Sequence, residues 1–113
     1  RALALAGADV IAHPSNLVAA ALLWGPTMRT RALENKVIIV TANRFGTEEI
    51  GGEKLSFTGE SQIISYNGAP LATAGPADET IITAEVDPLA TRNKGFNPYN
   101  DIFADRRPEL YRM

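Results

Sequence analysis

His13 and Ser15, two residues apart in the run His13-Pro14-Ser15-Asn16, are the first side chains along the chain whose types could do chemistry together. The run follows an apolar burst, Asp9-Val10-Ile11-Ala12, that reads as a buried strand ended near Pro14. In α/β sheets the carboxyl ends of strands are where ligands tend to bind. Two counts limit what this run can do. The 113-residue chain has one histidine and no cysteine. A Ser-His-Asp triad or a histidine metal site is therefore hard to assemble, and a disulfide, a thiolate metal site or a cysteine nucleophile is excluded within these residues. His13 alone reads as a hydrogen-bonded structural residue. Ser15 and Asn16 either cap the next element or line a pocket.

The other charged groups offer less. Glu34 follows Arg31 by three residues, a spacing that pairs the two on one helical face at the surface. Glu48 and Glu49 are adjacent, so they diverge and make a poor acid–base pair. Gly51-Gly52 lacks the downstream Lys-Ser/Thr of a phosphate loop. Asp101, Asp105, Arg106, Arg107 and Glu109 form a mixed-charge strip, either solvated surface or a docking strip for another subunit. No catalytic constellation emerges, and no metal or cofactor is implied.

These groups must be held by a scaffold that is 45% hydrophobic and 21% charged, a balance that argues against disorder. Eleven basic against thirteen acidic side chains leave no clustered basic face for nucleic acid. The longest apolar run, Leu17 to Trp24, falls far short of the ~20 residues needed to span a bilayer. The chain thus reads as a soluble cytoplasmic unit that acts on neither nucleic acid nor membrane. It begins with Arg1 in mid-pattern and without a signal peptide's architecture, as a piece of something longer does.

Residues 1–6 read as a helix stopped by Gly7, and residues 26–35 as the main helix, opened by Gly25-Pro26 and stopped at Asn35. Leu17 to Trp24 reads as a loop or a separate helical turn. Residues 36–43, β-branched and almost wholly apolar, read as a strand buried on both faces. Residues 44–58, rich in glycine and charge, read as a long loop. Asn67-Gly68 between two apolar runs signals a hairpin with both turn residues at positive φ. Residues 79–87 read as a further strand, 88–93 as a helical turn, and the rest as an extended tail anchored by Tyr99, Ile102, Phe103, Leu110 and Tyr111. The order predicts an α/β sheet with an antiparallel half.

Residues 1–17 resemble the nitrilase superfamily of carbon–nitrogen hydrolases, in the stretch just downstream of that family's catalytic cysteine. Four more segments agree in order: Arg31-Ala32-Leu33-Glu34-Asn35 leading into residues 37–44, Gly59-Glu60-Ser61-Gln62-Ile63-Ile64 before the Asn67-Gly68 turn, residues 81–87, and residues 98–111. The resemblance implies a four-layer αββα sandwich, of which residues 1–113 supply roughly the C-terminal half of a single domain. It implies hydrolysis of nitriles, amides or N-carbamoyl compounds by a Glu-Lys-Cys triad lying wholly upstream of Arg1, so that no catalytic residue falls in this chain. Glu34 matches a later helix of the family and is not the triad glutamate.

The resemblance further places Ser15, Asn16 and Leu17 on a loop bordering the substrate pocket, and Ala42 and Asn43 at a neighbouring strand end. Gly59 and Ser61 support them. The implied partners are a small-molecule substrate, the remaining N-terminal part of the fold, and further copies in a homodimer or larger homo-oligomer through residues 31–35 and the tail. Residues 19–26 depart from the family's usual proline-containing connection, so substrate class does not transfer. The alternative is a non-catalytic binding or assembly module that keeps the fold without the chemistry.

Overall fold

The computed structural model describes residues 1–18 and 24–111. A short helix α1 (Ala2–Leu5) leads to strand β1 (Val10–Ser15), and helix α2 (Trp24–Asn35) connects it to β2 (Ile38–Asn43). The two strands are parallel and in register from Val10 opposite Ile38 to Ser15 opposite Asn43. A hairpin of β3 (Phe45–Ile50) and β4 (Glu53–Thr58) comes next. Then β5 (Gln62–Ile64) and β6 (Pro70–Thr73) extend the sheet antiparallel to β2, giving the order β1-β2-β5-β6. The expected mixture of parallel and antiparallel halves is present. A 3-10 turn (Pro88–Arg92), a small ribbon of β7 (Gly95–Asn97) and β8 (Asn100–Asp101), and a second 3-10 turn (Pro108–Leu110) complete the chain.

Period-two alternation sorts the sheet's side chains. Ile11, Ile39 and Ile64 lie side by side across three strands and pack on Ala4 of α1 and Ala32 of α2, with Val37, Met28 and Phe103 completing the core. Two residues further along, the same face continues in polar residues: His13, Thr41 and Gln62, then Ser15 and Asn43. On the other face Val10, Ala12, Pro14 and Ala42 remain exposed, while Ile38 and Ile63 are buried. β1 is an outer strand, which is why it runs through Pro14 instead of stopping there.

The end of α2 explains its connection to β2. Lys36 sits at φ 45°, and Val37 N–H donates to Ala32 O (3.1 Å) while Lys36 N–H donates to Leu33 O (3.2 Å). That is a Schellman stop directly after Asn35, with Val37 and Ala32 buried as its hydrophobic contact. Lys94 Nζ reaches in from the tail to the carbonyls of Asn35 (3.1 Å) and Lys36 (2.9 Å) and satisfies helix-end acceptors. Lys36 Nζ in turn donates to Gly95 O and lies over the Phe96 ring.

Several expectations need correction. Residues 44–58 form the β3–β4 hairpin, not a loop. Gly51 and Gly52, at φ 59° and 83°, supply the paired positive φ that a two-residue turn demands. Its apolar residues Ile50, Leu55 and Phe57 share one face with charged ones, which hid the alternation. At Asn67-Gly68 only Gly68 has positive φ. Gly68 N–H donates to Ser65 O (2.8 Å) and Ser65 N–H to Ala69 O (2.9 Å), so the turn has a three-residue loop closed by a glycine bulge. Residues 79–87 form no strand: no strand edge among the described residues pairs with them, and Ile81 is 91% exposed. In the tail, Ile102 and Phe103 are partly buried, whereas Tyr99, Leu110 and Tyr111 stand in solvent and anchor nothing. Among the described residues helix α2 already includes Trp24, two residues ahead of the expected Pro26. The reading of Leu17 to Trp24 as a loop or separate turn falls largely on residues 19–23, outside those described.

Candidate functional site

The carboxyl ends of β1 and β2 meet α2 and the end of the hairpin in a set of polar side chains. The parallel register puts Ser15 beside Asn43 and His13 beside Thr41. His13 Nδ1 lies 3.2 Å from Thr41 Oγ1, and Ser15 Oγ lies 3.1 Å from the His13 ring nitrogens. The imidazole is thus occupied by its neighbours, in keeping with a structural histidine. Ser15 Oγ also donates to His13 O (3.3 Å).

Asn43 is the centre of this set. Its Oδ1 accepts from Leu17 N–H (2.8 Å), and its Nδ2 donates to Thr58 Oγ1 (3.0 Å) and to Gly59 O (2.8 Å). Its backbone N–H donates to Ser61 Oγ (3.0 Å), which donates back to Asn43 O (3.3 Å). Thr58 Oγ1 accepts also from Trp24 Nε1 (3.0 Å) and donates to Leu17 O (3.3 Å), which Thr58 N–H reaches at 3.0 Å. Gly59 occupies φ 62°, and a Cβ there would lie 2.4 Å from Pro76 O, so only glycine fits between the hairpin and the 76 region.

The five sequence-derived pocket residues therefore fall in two places. Ser15, Leu17 and Asn43 gather on the polar end of the helix-covered face, while Asn16, between Ser15 and Leu17 in the chain, is exposed and makes no hydrogen bond among the described residues. Ala42 is exposed on the opposite face, beside Pro14. Gly59 and Ser61 support the set, as expected from their position. Thr58 and Trp24 were missed, because Thr58 read as the end of a loop and Trp24 as the end of an unassigned apolar run. The Thr-Gly-Glu-Ser order, with a hydroxyl before a forced glycine, was the available signal.

Nearby, a cleft of about 270 Å³ is lined by Trp24, Gly25, Glu60, Gln62, Thr73 and Ala74. A larger cleft of about 440 Å³ lies away from the strand ends, between α1 and the tail, where Asp9, Arg92 and Lys94 meet Phe103. Its carboxylate is paired with Arg92, and Lys94 is taken up by the carbonyls at the end of α2. Arg92 donates from Nη2 (2.9 Å) and Nε (3.1 Å) to Asp9 Oδ2, and Thr91 Oγ1 donates to Asp9 Oδ1 (3.0 Å). Arg92, then Thr91, holds the Asp9 carboxyl below its ordinary range, while burial lowers Lys94. This is a junction holding the tail to β1. Among the described residues, no three His, Cys, Asp or Glu side chains gather as a metal site, and no helix is long and apolar enough to cross a membrane.

A mixed α/β sheet with a polar cluster at the ends of its parallel strands is the architecture in hand, and comparison with known proteins gives it a family. The carbon-nitrogen hydrolase family model matches residues 1–94, so the chain belongs to that family. It is 51% identical over 112 residues to a nitrilase of Pyrococcus abyssi, covering 98% of this chain and 40% of the relative. Its fold is similar to the crystal structure of a carbon-nitrogen hydrolase from Helicobacter pylori G27, with a TM-score of 0.76 and 26% identity over 96% of this chain and 41% of that one. It is also similar to a mutant amidase from Nesterenkonia sp. AN1 described as carrying the acetamide moiety of fluoroacetamide on its active-site cysteine. There the TM-score is 0.57 and the identity 31%, over 65% of this chain and 27% of that one. The chain thus spans about two fifths of the length of the first two.

Proposed function

We propose that residues 1–113 form the C-terminal part of a carbon–nitrogen hydrolase domain, half of a four-layer αββα sandwich, that opens amide, nitrile or N-carbamoyl bonds through a cysteine acyl-enzyme. The observation that carries this reading is the family match over residues 1–94 in a chain without cysteine, set beside an amidase that bears a covalent adduct on its active-site cysteine. The nucleophile then belongs to polypeptide upstream of Arg1, with the triad's glutamate and lysine.

In that chemistry the thiol loses its proton to the glutamate and attacks the carbon, and the lysine holds the developing oxyanion. For an amide or N-carbamoyl substrate the glutamate returns the proton to the leaving nitrogen, and water cleaves the S-acyl bond. A nitrile takes that proton on its nitrogen as a thioimidate; one water releases ammonia to give the thioester, and a second water cleaves it. This chain contributes the pocket border: Ser15 at the end of β1, Asn16 and Leu17 just beyond it, and Asn43 at the end of β2, whereas Ala42 faces the other side of the sheet. Copies associate through residues 31–35 and the tail.

The test compares the 113-residue chain with the polypeptide that includes the upstream sequence, on an aliphatic amide, a nitrile and an N-carbamoyl amine, following ammonia release. The longer polypeptide turns over at least one of them and shows an acyl adduct on its cysteine by intact mass; the chain alone turns over none. Turnover by the chain alone, or by the longer polypeptide after its cysteine is replaced by alanine, would overturn the reading. Inactivity of both would favour the assembly-module alternative.

A further inference from the structure

Leu17 is held by both of its backbone groups from outside its own segment. Its N–H donates to Asn43 Oδ1 (2.8 Å), and its carbonyl accepts from Thr58 N–H (3.0 Å) and Thr58 Oγ1 (3.3 Å). Asn43 Nδ2 to Thr58 Oγ1 (3.0 Å) closes a ring of hydrogen bonds around that residue. A primary amide has two N–H donors. In Asn43 both are engaged, on Thr58 and Gly59, and its oxygen holds Leu17. A substrate could take a hydrogen bond from Asn43 Nδ2 only by displacing one of these partners.

We propose that Asn43 and Thr58 are positioning residues: they fix how far the Ser15–Leu17 loop reaches toward the substrate, and neither touches it. The role rests on the hydrolase reading given above. It reassigns Asn43 from the pocket's lining to the clamp behind it, and it adds Thr58, which neither the sequence pattern nor the family resemblance had singled out. Trp24 joins the clamp through Nε1 on Thr58 Oγ1, so the first turn of α2 bears on the same point. Three elements that are distant in sequence, β2, β4 and α2, thereby set one loop.

The experiment uses the intact polypeptide, nucleophile included, with Asn43→Ala, Asn43→Asp, Thr58→Val and Thr58→Ser. Asn43→Asp keeps the acceptor for Leu17 but sets a carboxylate oxygen against the Gly59 carbonyl; Thr58→Ser keeps the hydroxyl. Amide exchange at Leu17 is read first, because it reports the clamp without any activity. Asn43→Ala accelerates it by about tenfold or more. Unchanged protection overturns the proposal.

Steady-state kinetics are read second. A misplaced loop spoils reacting geometry, so kcat falls by about tenfold or more while KM moves by less than about threefold. Thr58→Ser regains most of what Thr58→Val loses. Lost protection with kcat unchanged overturns the positioning role, and so does a rise in KM alone, which would mark Asn43 as a direct contact. A parent polypeptide that turns over no amide, nitrile or carbamoyl substrate while Leu17 remains protected through Asn43 refutes the hydrolase reading, and the positioning role falls with it. That outcome is distinct from loss of the clamp.

Discussion

Gly59→Ala tests whether the site is held by crowding as well as by hydrogen bonds. At φ 62° an alanine pays about 1–2 kcal/mol for the left-handed conformation. Its Cβ would lie 2.4 Å from Pro76 O and 2.7 Å from Pro76 C, both backbone atoms, and 3.1 Å from Phe45 Cβ. Carbon–oxygen contacts are comfortable from about 3.3 Å, so the overlap is roughly 0.9 Å. No rotamer relieves it, and overpacking of this kind costs about 1–3 kcal/mol. The total is about 2–5 kcal/mol, a large share of the ~5–15 kcal/mol that holds a typical domain. Gly51→Ala is the matched control, since Gly51 has nearly the same φ, 59°, with nothing within 4 Å of the added atom. Both variants change the unfolded chain alike, so their difference isolates the steric term. In urea, with a slope of about 2 kcal/mol/M, Gly59→Ala lowers the midpoint by about 1–2.5 M and Gly51→Ala by about 0.5–1 M. Midpoints for the two variants that agree within about 0.2 M would refute the packing argument.

Lys36→Gly separates two opposing effects. Relief of the left-handed backbone at φ 45° contributes about 1–2 kcal/mol, offset by about 0.5–1 kcal/mol of extra freedom in the unfolded chain. Loss of the Nζ bond to Gly95 O and of the Phe96 ring contact removes about 1–2.5 kcal/mol. The net expectation is a loss of about 1 kcal/mol in urea unfolding, and a gain would show that the tether to the tail contributes nothing. The Asp9 junction predicts a pH dependence. Arg92 and Thr91 depress the folded-state carboxyl below its ordinary value of 3.8, so the unfolded chain binds the proton first as pH falls. The stabilisation is complete above that ordinary value and is lost as pH drops through the lower, folded one. An NMR titration places the Asp9 midpoint below 3.8 and moves it upward in Arg92→Met; an unmoved midpoint counts against the pairing.

Much of the scaffold was legible because it rests on local rules. The Arg31–Glu34 pair is set by helical spacing and stands at 2.7 Å. The turn at 88–92 opens on Pro88 and is capped by Asp87, whose Oδ1 accepts from Leu89 N–H (2.9 Å). The strand at 38–43 announced itself by β-branched residues, and Ile38 and Ile39, which face opposite ways, are both buried. The β3–β4 hairpin was hidden because its two faces mix charge with apolar groups, and Arg44 both pairs with Glu48 (2.7 Å) and covers the Phe57 ring. Residues 79–87 carry every local mark of a strand, yet a strand is a property of two chain segments, and composition reports on only one.

The sequence by itself determined the family, the approximate positions of the helices and of the four strands of the main sheet, and the absence of a cysteine nucleophile from these 113 residues. Those depend on residue type and spacing, which act over a turn or a few strand residues. Only the tertiary structure decided that Asn43, Thr58 and Leu17, separated by 15 to 41 positions, form one closed ring of hydrogen bonds. Alternation along β2 puts Ala42 and Asn43 on opposite faces of the sheet, but only the packing of α1 and α2 decided that the Asn43 face is the covered one. A side chain's partners depend on the register and crossing of distant elements, and no local pattern along the chain encodes which hydroxyl an amide will meet.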